Sequence, residues 1–173
     1  MKKILALALA GLLTVSMAAV AYAIHDGENL YVYAEIADAD MVDCDPAKQE
    51  SAPWETDSFE IILDGSNTTA DTLYQARVDW TGWASYYTNL GSKGGVSGYG
   101  PASFPGVQAA AAVEIDGGYA IEAALNLPKF AVLAGNKIGI HYQVNDMHSD
   151  GSGTVAHQPP LSLQFPRQEY CSG

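Results

Sequence analysis

Apolar and polar residues alternate with a period of two along most of the chain beyond its N-terminal segment. Leu30 to Ala37 reads LYVYAEIA, with Val32, Ala34 and Ile36 on one face and Tyr31, Tyr33 and Glu35 on the other. Ser58 to Asp64 reads SFEIILD, which points Phe59, Ile61 and Leu63 inward and Ser58 and Glu60 outward. Leu73 to Trp80 sets Tyr74, Ala76, Val78 and Trp80 against Gln75, Arg77 and Asp79. Ala109 to Ile115 and Tyr119 to Leu125 flank Asp116-Gly117-Gly118, a hairpin signal. Lys137 to Val144 places Ile138, Ile140, Tyr142 and Val144 on one side, and His141, Gln143 and then Asn145 on the other. A short last strand is predicted near Leu161 to Phe165. Such alternation marks half-buried strands, because successive side chains leave a strand on opposite faces.

No segment beyond the N-terminus keeps helical periodicity over three turns. Many short strands separated by turn residues predict an all-β fold, a two-sheet antiparallel β-sandwich of jelly-roll or immunoglobulin-like type. Pro128-Lys129-Phe130 opens a short turn of helix. Gly91 to Gly106, rich in Gly, Ser and Pro, reads as a long loop within the domain, and Asp146 to Gly153 as a second loop.

The first residues carry a different signal. Lys2 and Lys3 precede an uncharged apolar run from Ile4 to Leu13, and Ala21-Tyr22-Ala23 fits the small-residue pattern of a signal-peptide cleavage site. The run is too short for a membrane anchor, which needs about 20 apolar residues. Residues 1–23 are therefore expected to be a signal peptide, and 24–173 one secreted or periplasmic domain.

Charge narrows the partners. The chain carries 8 Lys and Arg against 20 Asp and Glu, for a net charge of −12. Loss of Lys2 and Lys3 with the signal would take it from −12 to −14. Nucleic acid and anionic membranes are disfavoured partners, while a neutral ligand or a cation is compatible. Cys44 and Cys171 are the two cysteines. In an exported chain an even count predicts a disulfide, and neither residue sits in a C-x-x-C pair.

The stretch Pro53-Trp54-Glu55-Thr56-Asp57-Ser58-Phe59-Glu60 puts a tryptophan in a loop just ahead of a strand, with Glu60 on that strand's polar face. Arg77, Gln143 and Asn145 share the polar phase on other strands. An aromatic ring beside fixed polar groups suits a sugar, whose C–H face stacks on the ring while its hydroxyls hydrogen-bond at the rim. The same residues also fit a loop-packing Trp54 and a Glu60–Arg77 cross-strand ion pair.

Four pieces in order resemble carbohydrate-binding module family 9. These are Trp54 to Asp64 (WETDSFEIILD), Tyr74 to Val78 (YQARV), Gly135 to Gly139 (GNKIG), and Gln143 to Asp146 (QVND). Leu30-Tyr31-Val32 with Asp38, and Tyr119 to Ala123 before Leu127-Pro128, keep the same order, so the likeness runs from about Leu30 to Asp146. The resemblance implies a non-catalytic β-sandwich that grips a plant-type polysaccharide or oligosaccharide between two aromatic rings, in association with a glycoside hydrolase partner. Trp54 matches the first clamp aromatic, and Glu60, Arg77 and Asn145 match polar contacts. Where the family has its second aromatic this chain has His148, a weaker stacking group. The N-terminus reads as shortened, with no strand ahead of Leu30 once a signal is removed.

Two rival readings are weaker. Haem-binding sandwiches of a cytochrome-like kind need two axial ligands, which Met41, Met147, His141 and His148 could supply, yet adjacent Met147 and His148 poorly suit opposite sides of one iron. A glycosidase needs two carboxylates about 5–9 Å apart across a cleft, and Glu60, Asp64, Glu114 and Glu122 qualify by residue type alone. No cofactor is assigned. Related modules can hold structural calcium, and the Asp38 to Asp45 run is rich in aspartate but lacks the glycine and glutamate of an EF-hand loop, so no metal ligands are assigned.

Overall fold

The computed structural model describes residues 5–9, 18–43, 45, 47, 52, 54–65, 73–88, 97–99, 106–130, 137–157 and 161–164. Its strands are β1 (Leu5–Leu9), β2 (Ala18–His25), β3 (Asn29–Ala37), β4 (Ser58–Asp64), β5 (Leu73–Asp79), β6 (Ala84–Thr88), β7 (Ser97–Tyr99), β8 (Val107–Ile115), β9 (Gly118–Asn126), β10 (Lys137–Met147), β11 (Gly153–His157) and β12 (Leu161–Gln164). A five-stranded sheet has the order β1-β2-β3-β9-β8. A seven-stranded sheet has the order β11-β10-β4-β5-β6-β7, with β12 also on β10. The pairings are antiparallel, as a two-sheet sandwich requires.

The inward phases of both sheets form one core. Leu30, Val32, Ala34, Ile36, Ile121 and Leu125 from one sheet meet Phe59, Ile61, Leu63, Val78, Ile138, Ile140 and Val144 from the other. Phe59 and Tyr142 stack with ring centroids 5.3 Å apart. Each fully buried Leu, Ile or Phe here contributes about 1.5–3 kcal/mol of transfer free energy. Alternation placed these residues correctly because a one-residue slip would turn every one of them to the other face. The β8–β9 hairpin turns at Asp116 and Gly117, whose φ of 78° is the left-handed conformation glycine accepts most readily. Leu127–Phe130 is a 3-10 turn, as its proline suggested.

Two loops are shorter than expected. Ser97–Tyr99, inside the stretch read as a loop, pairs with β6. Strand β10 runs on through Met147 and returns as β11, so the second loop shrinks to a tight turn from His148 to Ser152 closed by two backbone hydrogen bonds. Glycine and serine marked the turns but hid short strands held only by their neighbours. Cys44 and Cys171 lie outside the described residues.

The N-terminal segment differs most from expectation. Ala18 to His25 pairs with β3 from Ala18↔Ala37 to His25↔Leu30. Ala19, Ala21 and Ala23 are buried in the core. The Asp26 carboxylate accepts the backbone N–H groups of Glu28 and Asn29, and Gly27 takes a φ of 96°, which closes the β2–β3 hairpin. A strand therefore stands ahead of Leu30, where the sequence suggested a shortened edge. Cleavage after Ala23 would take Ala18 through Ala23 out of this sheet and leave β3 as an edge. The chain beginning at Ile24 is expected to be less stable than the full chain by on the order of 3 kcal/mol, roughly 6–12 °C in melting temperature. Equal melting of the two in calorimetry would mean that β2 contributes nothing.

Candidate functional site

Glu60 is the centre of a polar cluster on the outer face of the seven-stranded sheet. Register aligns Arg77, Glu60 and Gln143 across β5, β4 and β10, with Asn145 and Ser58 one row away. Glu60 Oε1 accepts from Arg77 Nε at 2.7 Å, from Arg77 Nη2, and from Asn145 Nδ2 at 2.6 Å. Glu60 Oε2 accepts from Gln75 Nε2. Asn145 Nδ2 also reaches Ser58 Oγ at 3.1 Å, and Gln143 Nε2 donates to Asn145 Oδ1 at 3.1 Å. The predicted ion pair is thus present within a wider network. The residues of this shared polar phase lie on one face, but that face is covered: Glu60 is 1 % exposed, and Asn145, Gln75 and Ser58 are buried too. A carboxylate carrying four donor contacts positions those donors, leaving the outward atoms of Arg77 and Gln143 best placed to meet a ligand.

Ahead of β4, Trp54 is 52 % exposed. Its turn is pinned by the Glu55 N–H donating to the Ala52 carbonyl and by Thr56 Oγ1 donating to the Val42 carbonyl, at 3.0 and 2.9 Å. Asp57 then ties three segments together. Its carboxylate accepts the N–H groups of Val42 and Met147, and its carbonyl accepts that of Trp80. Trp54 therefore stands on a held turn with about half of its surface in solvent.

At the same end of the sheet, one carboxylate oxygen from each of Asp38, Asp57 and Asp146 lies within 4.8 Å of the others. Burial pushes the Asp57 carboxyl up to about 7, against the lowering effect of its two backbone donors, and Asp38 and Asp146 push it the same way. Burial raises Asp38 as well. Among the described residues, Asp38 Oδ2 is buried with no hydrogen-bond partner. An oxygen-only donor set with excess negative charge fits a hard cation such as Ca²⁺.

A family model described as carbohydrate family 9 binding domain-like matches residues 8–158. The chain belongs to carbohydrate-binding module family 9. This is a family of non-catalytic carbohydrate-binding modules. The match begins at residue 8, ahead of the boundary expected after Ala23. The chain is 32 % identical over 143 residues to endo-1,4-beta-xylanase A of Thermotoga neapolitana, and 30 % identical over 143 residues to that of Thermotoga maritima. Each match covers 79 % of this chain and 12 % of the xylanase, so the chain spans a small part of these relatives. Two solved family 9 modules from Caldicellulosiruptor kristjanssonii share the fold. One, in complex with cellotriose, has a TM-score of 0.58 at 22 % identity and covers 87 % of this chain and 67 % of that one. The other, in complex with glucose, has a TM-score of 0.62 at 20 % identity and covers 93 % and 83 %.

Of the residues singled out as the family 9 site, Glu60, Arg77, Gln143 and Asn145 meet in one network. Trp54 stands on the turn leading into it. His148 caps the β10–β11 turn, with Nδ1 3.7 Å from Asp146 Oδ1, and so touches the acidic trio rather than the Glu60 network. Gln75 and Ser58 were missed, though both have the right polar phase on their strands. Asp57 and Asp146 were missed as a pair because they are far apart in sequence and meet only through β4–β10 pairing. His141 and Met147 lie six residues apart on β10, about 20 Å along a strand, so they cannot ligate one iron.

Proposed function

We propose that this chain is an exported module that binds a neutral plant-type polysaccharide or oligosaccharide by stacking on Trp54 and hydrogen bonding to the Glu60 network, and that it serves carbohydrate catabolism beside a glycoside hydrolase. The observation that carries this reading is the combination of a half-exposed indole on a pinned turn with the outward polar atoms of Arg77 and Gln143, which the buried Glu60 and Asn145 hold in place. A preorganised site loses little entropy when a sugar docks. The likeness to xylanase regions and to modules solved with cellotriose and glucose supports the ligand class. The Lys2-Lys3 start and apolar run support export, and the Cys44–Cys171 pairing belongs to the same reading, with free-thiol titration of the exported protein expected to find none. On a glycan array the chain is expected to bind neutral β-glucans or xylans and to ignore sulfated glycans, which its net charge of −12 repels. Failure to bind any neutral glycan would refute the assignment.

The Asp38, Asp57 and Asp146 trio would hold a calcium ion that braces the Trp54 turn through Asp57 and its bonds to Val42 and Met147. A carboxyl raised in the folded state adds stability that is full below its unfolded value and is lost as pH rises through its folded value. For Asp57 that window runs from 3.8 to about 7. Without calcium, melting temperature is therefore expected to fall between pH 5 and pH 8. Calcium should reverse this, since deprotonated ligands bind it best. At about a hundred times its dissociation constant it adds roughly 2.7 kcal/mol, about 5–11 °C at pH 8, with a smaller gain at pH 5. Asp57→Asn should remove both effects, and calorimetry at the two pH values with and without EGTA checks them.

A further inference from the structure

The outer face of the five-stranded sheet, on the opposite side of the sandwich from Glu60, carries a groove of about 550 Å³. Tyrosines form its walls. Tyr22 and Tyr31 are 43 % and 40 % exposed, and Tyr33, two residues beyond Tyr31 on β3, is the cross-strand partner of Tyr22. Tyr22 and Tyr33 face each other across β2 and β3, with ring centroids 6.3 Å apart and planes inclined by 32°. Tyr31 and Tyr33, two residues apart on one strand, repeat at about 6.8 Å. The floor includes Ala111 and Ala124, whose small side chains leave the depth, and Glu122 stands in the same cross-strand row as Tyr33 and Ala111. The rings are held from their far ends: Tyr33 donates its hydroxyl to Glu35 Oε1 at 2.6 Å, and Tyr31 donates to Asp26 Oδ2 at 3.2 Å.

We propose that this groove, in the chain that keeps β2, is a second saccharide-binding surface, on which Tyr31 and Tyr33, with Tyr22 beside them, stack sugar rings and Glu122 accepts hydrogen bonds from sugar hydroxyls. The chemistry of the face selects the occupant. Glu35, Glu122 and Asp26 around the groove repel anions, so phosphate- or sulfate-bearing ligands and anionic membranes do not fit. A second copy would bring the same carboxylates and the same net charge of −12 against this face. A neutral polyhydroxylated chain meets neither penalty, and its C–H faces match exposed tyrosine rings held in place at low entropic cost. Surfaces on both outer faces let one module engage two chains or two turns of one, which raises avidity without new contacts. The inference takes its ligand class from the saccharide reading above but stands on different residues.

The full chain, labelled with ¹⁵N, is titrated with a soluble β-1,4-linked glucose hexamer while amide shifts are followed by NMR. Two separate sets of shifted amides are expected, one around Glu60 and Asn145 and one around Tyr33, Glu122 and Ala111. Trp54→Ala should remove the first set and keep the second. Tyr31→Ala combined with Tyr33→Ala should weaken the second at least tenfold and keep the first, whereas Tyr31→Phe should hold it within about threefold. A Trp54→Ala chain with unchanged melting and no shifted amides at the tyrosines would overturn the second surface and leave the first standing. Binding that survives Trp54→Ala intact and vanishes in the double tyrosine variant would sink the Trp54 reading and leave this one. Sedimentation showing a dimer that Tyr31→Ala dissociates would assign the face to a second copy and end the proposal.

Discussion

Glu60→Ala is expected to lower the melting temperature by roughly 6–20 °C, the largest stability effect of any single polar substitution here. The substitution strands the partly buried Arg77 guanidinium and leaves the Gln75 and Asn145 amides without their acceptor. Breaking one side of a buried ion pair costs about 3–5 kcal/mol, and a chain of this size loses about 2–4 °C per kcal/mol. The same physics forecasts a rescue. Glu60→Leu combined with Arg77→Met removes both charges and should recover most of the lost stability, because an apolar pair of similar volume avoids the desolvation cost. Sugar binding should stay lost in the double variant, since the donors that Glu60 orients are gone or misplaced. A double-substitution cycle by chemical denaturation, alongside binding isotherms, reads both quantities. A Glu60→Ala chain that melts like the parent would show that the network carries no stability.

Trp54→Ala should do the reverse: leave melting within about 2 °C and weaken sugar binding by roughly thirtyfold. Half of Trp54 already meets solvent, so little burial is lost. A tryptophan at the centre of a binding surface commonly carries 2 kcal/mol or more of affinity. His148→Trp tests whether a second ring can complete a clamp. His148 sits partly exposed on the β10–β11 turn, so an indole has solvent on one side, and stacking should raise affinity by roughly 2–12-fold. Titration calorimetry and thermal melts on both variants separate binding from folding. A destabilised Trp54→Ala chain that still binds would end the clamp.

Much of the fold was legible because it rests on short-range rules. The β3, β4, β5, β9 and β10 positions, and the side chains each turned inward, follow from alternation that any slip of register would destroy. The Asp116-Gly117 turn is written in two residues. The candidate site was legible in part for the same reason. Glu60, Arg77, Gln143 and Asn145 share a polar phase, and antiparallel pairing could bring them together on one face. Gln75 had the same phase and was passed over, since phase alone does not separate a network member from a solvated neighbour.

The N-terminal segment shows where local signals end. Its small apolar residues satisfy a signal-peptide pattern and a strand pattern equally well, since both need uncharged residues of modest size. The Asp26-Gly27 turn after it was the available clue to a hairpin.

By itself the sequence determined the class of fold, the inward and outward phase of the main strands, the acidic character that turns away nucleic acid, and the family likeness. Tertiary structure decided that Ala18 to His25 closes against β3, that the Glu60 face is covered instead of open, and that Asp38, Asp57 and Asp146 converge. The physical reason is common to all three. Alternation states which way a side chain leaves its own strand, but burial, ion pairing and cation affinity depend on which distant segment arrives opposite it, and that is set only when the two sheets pack.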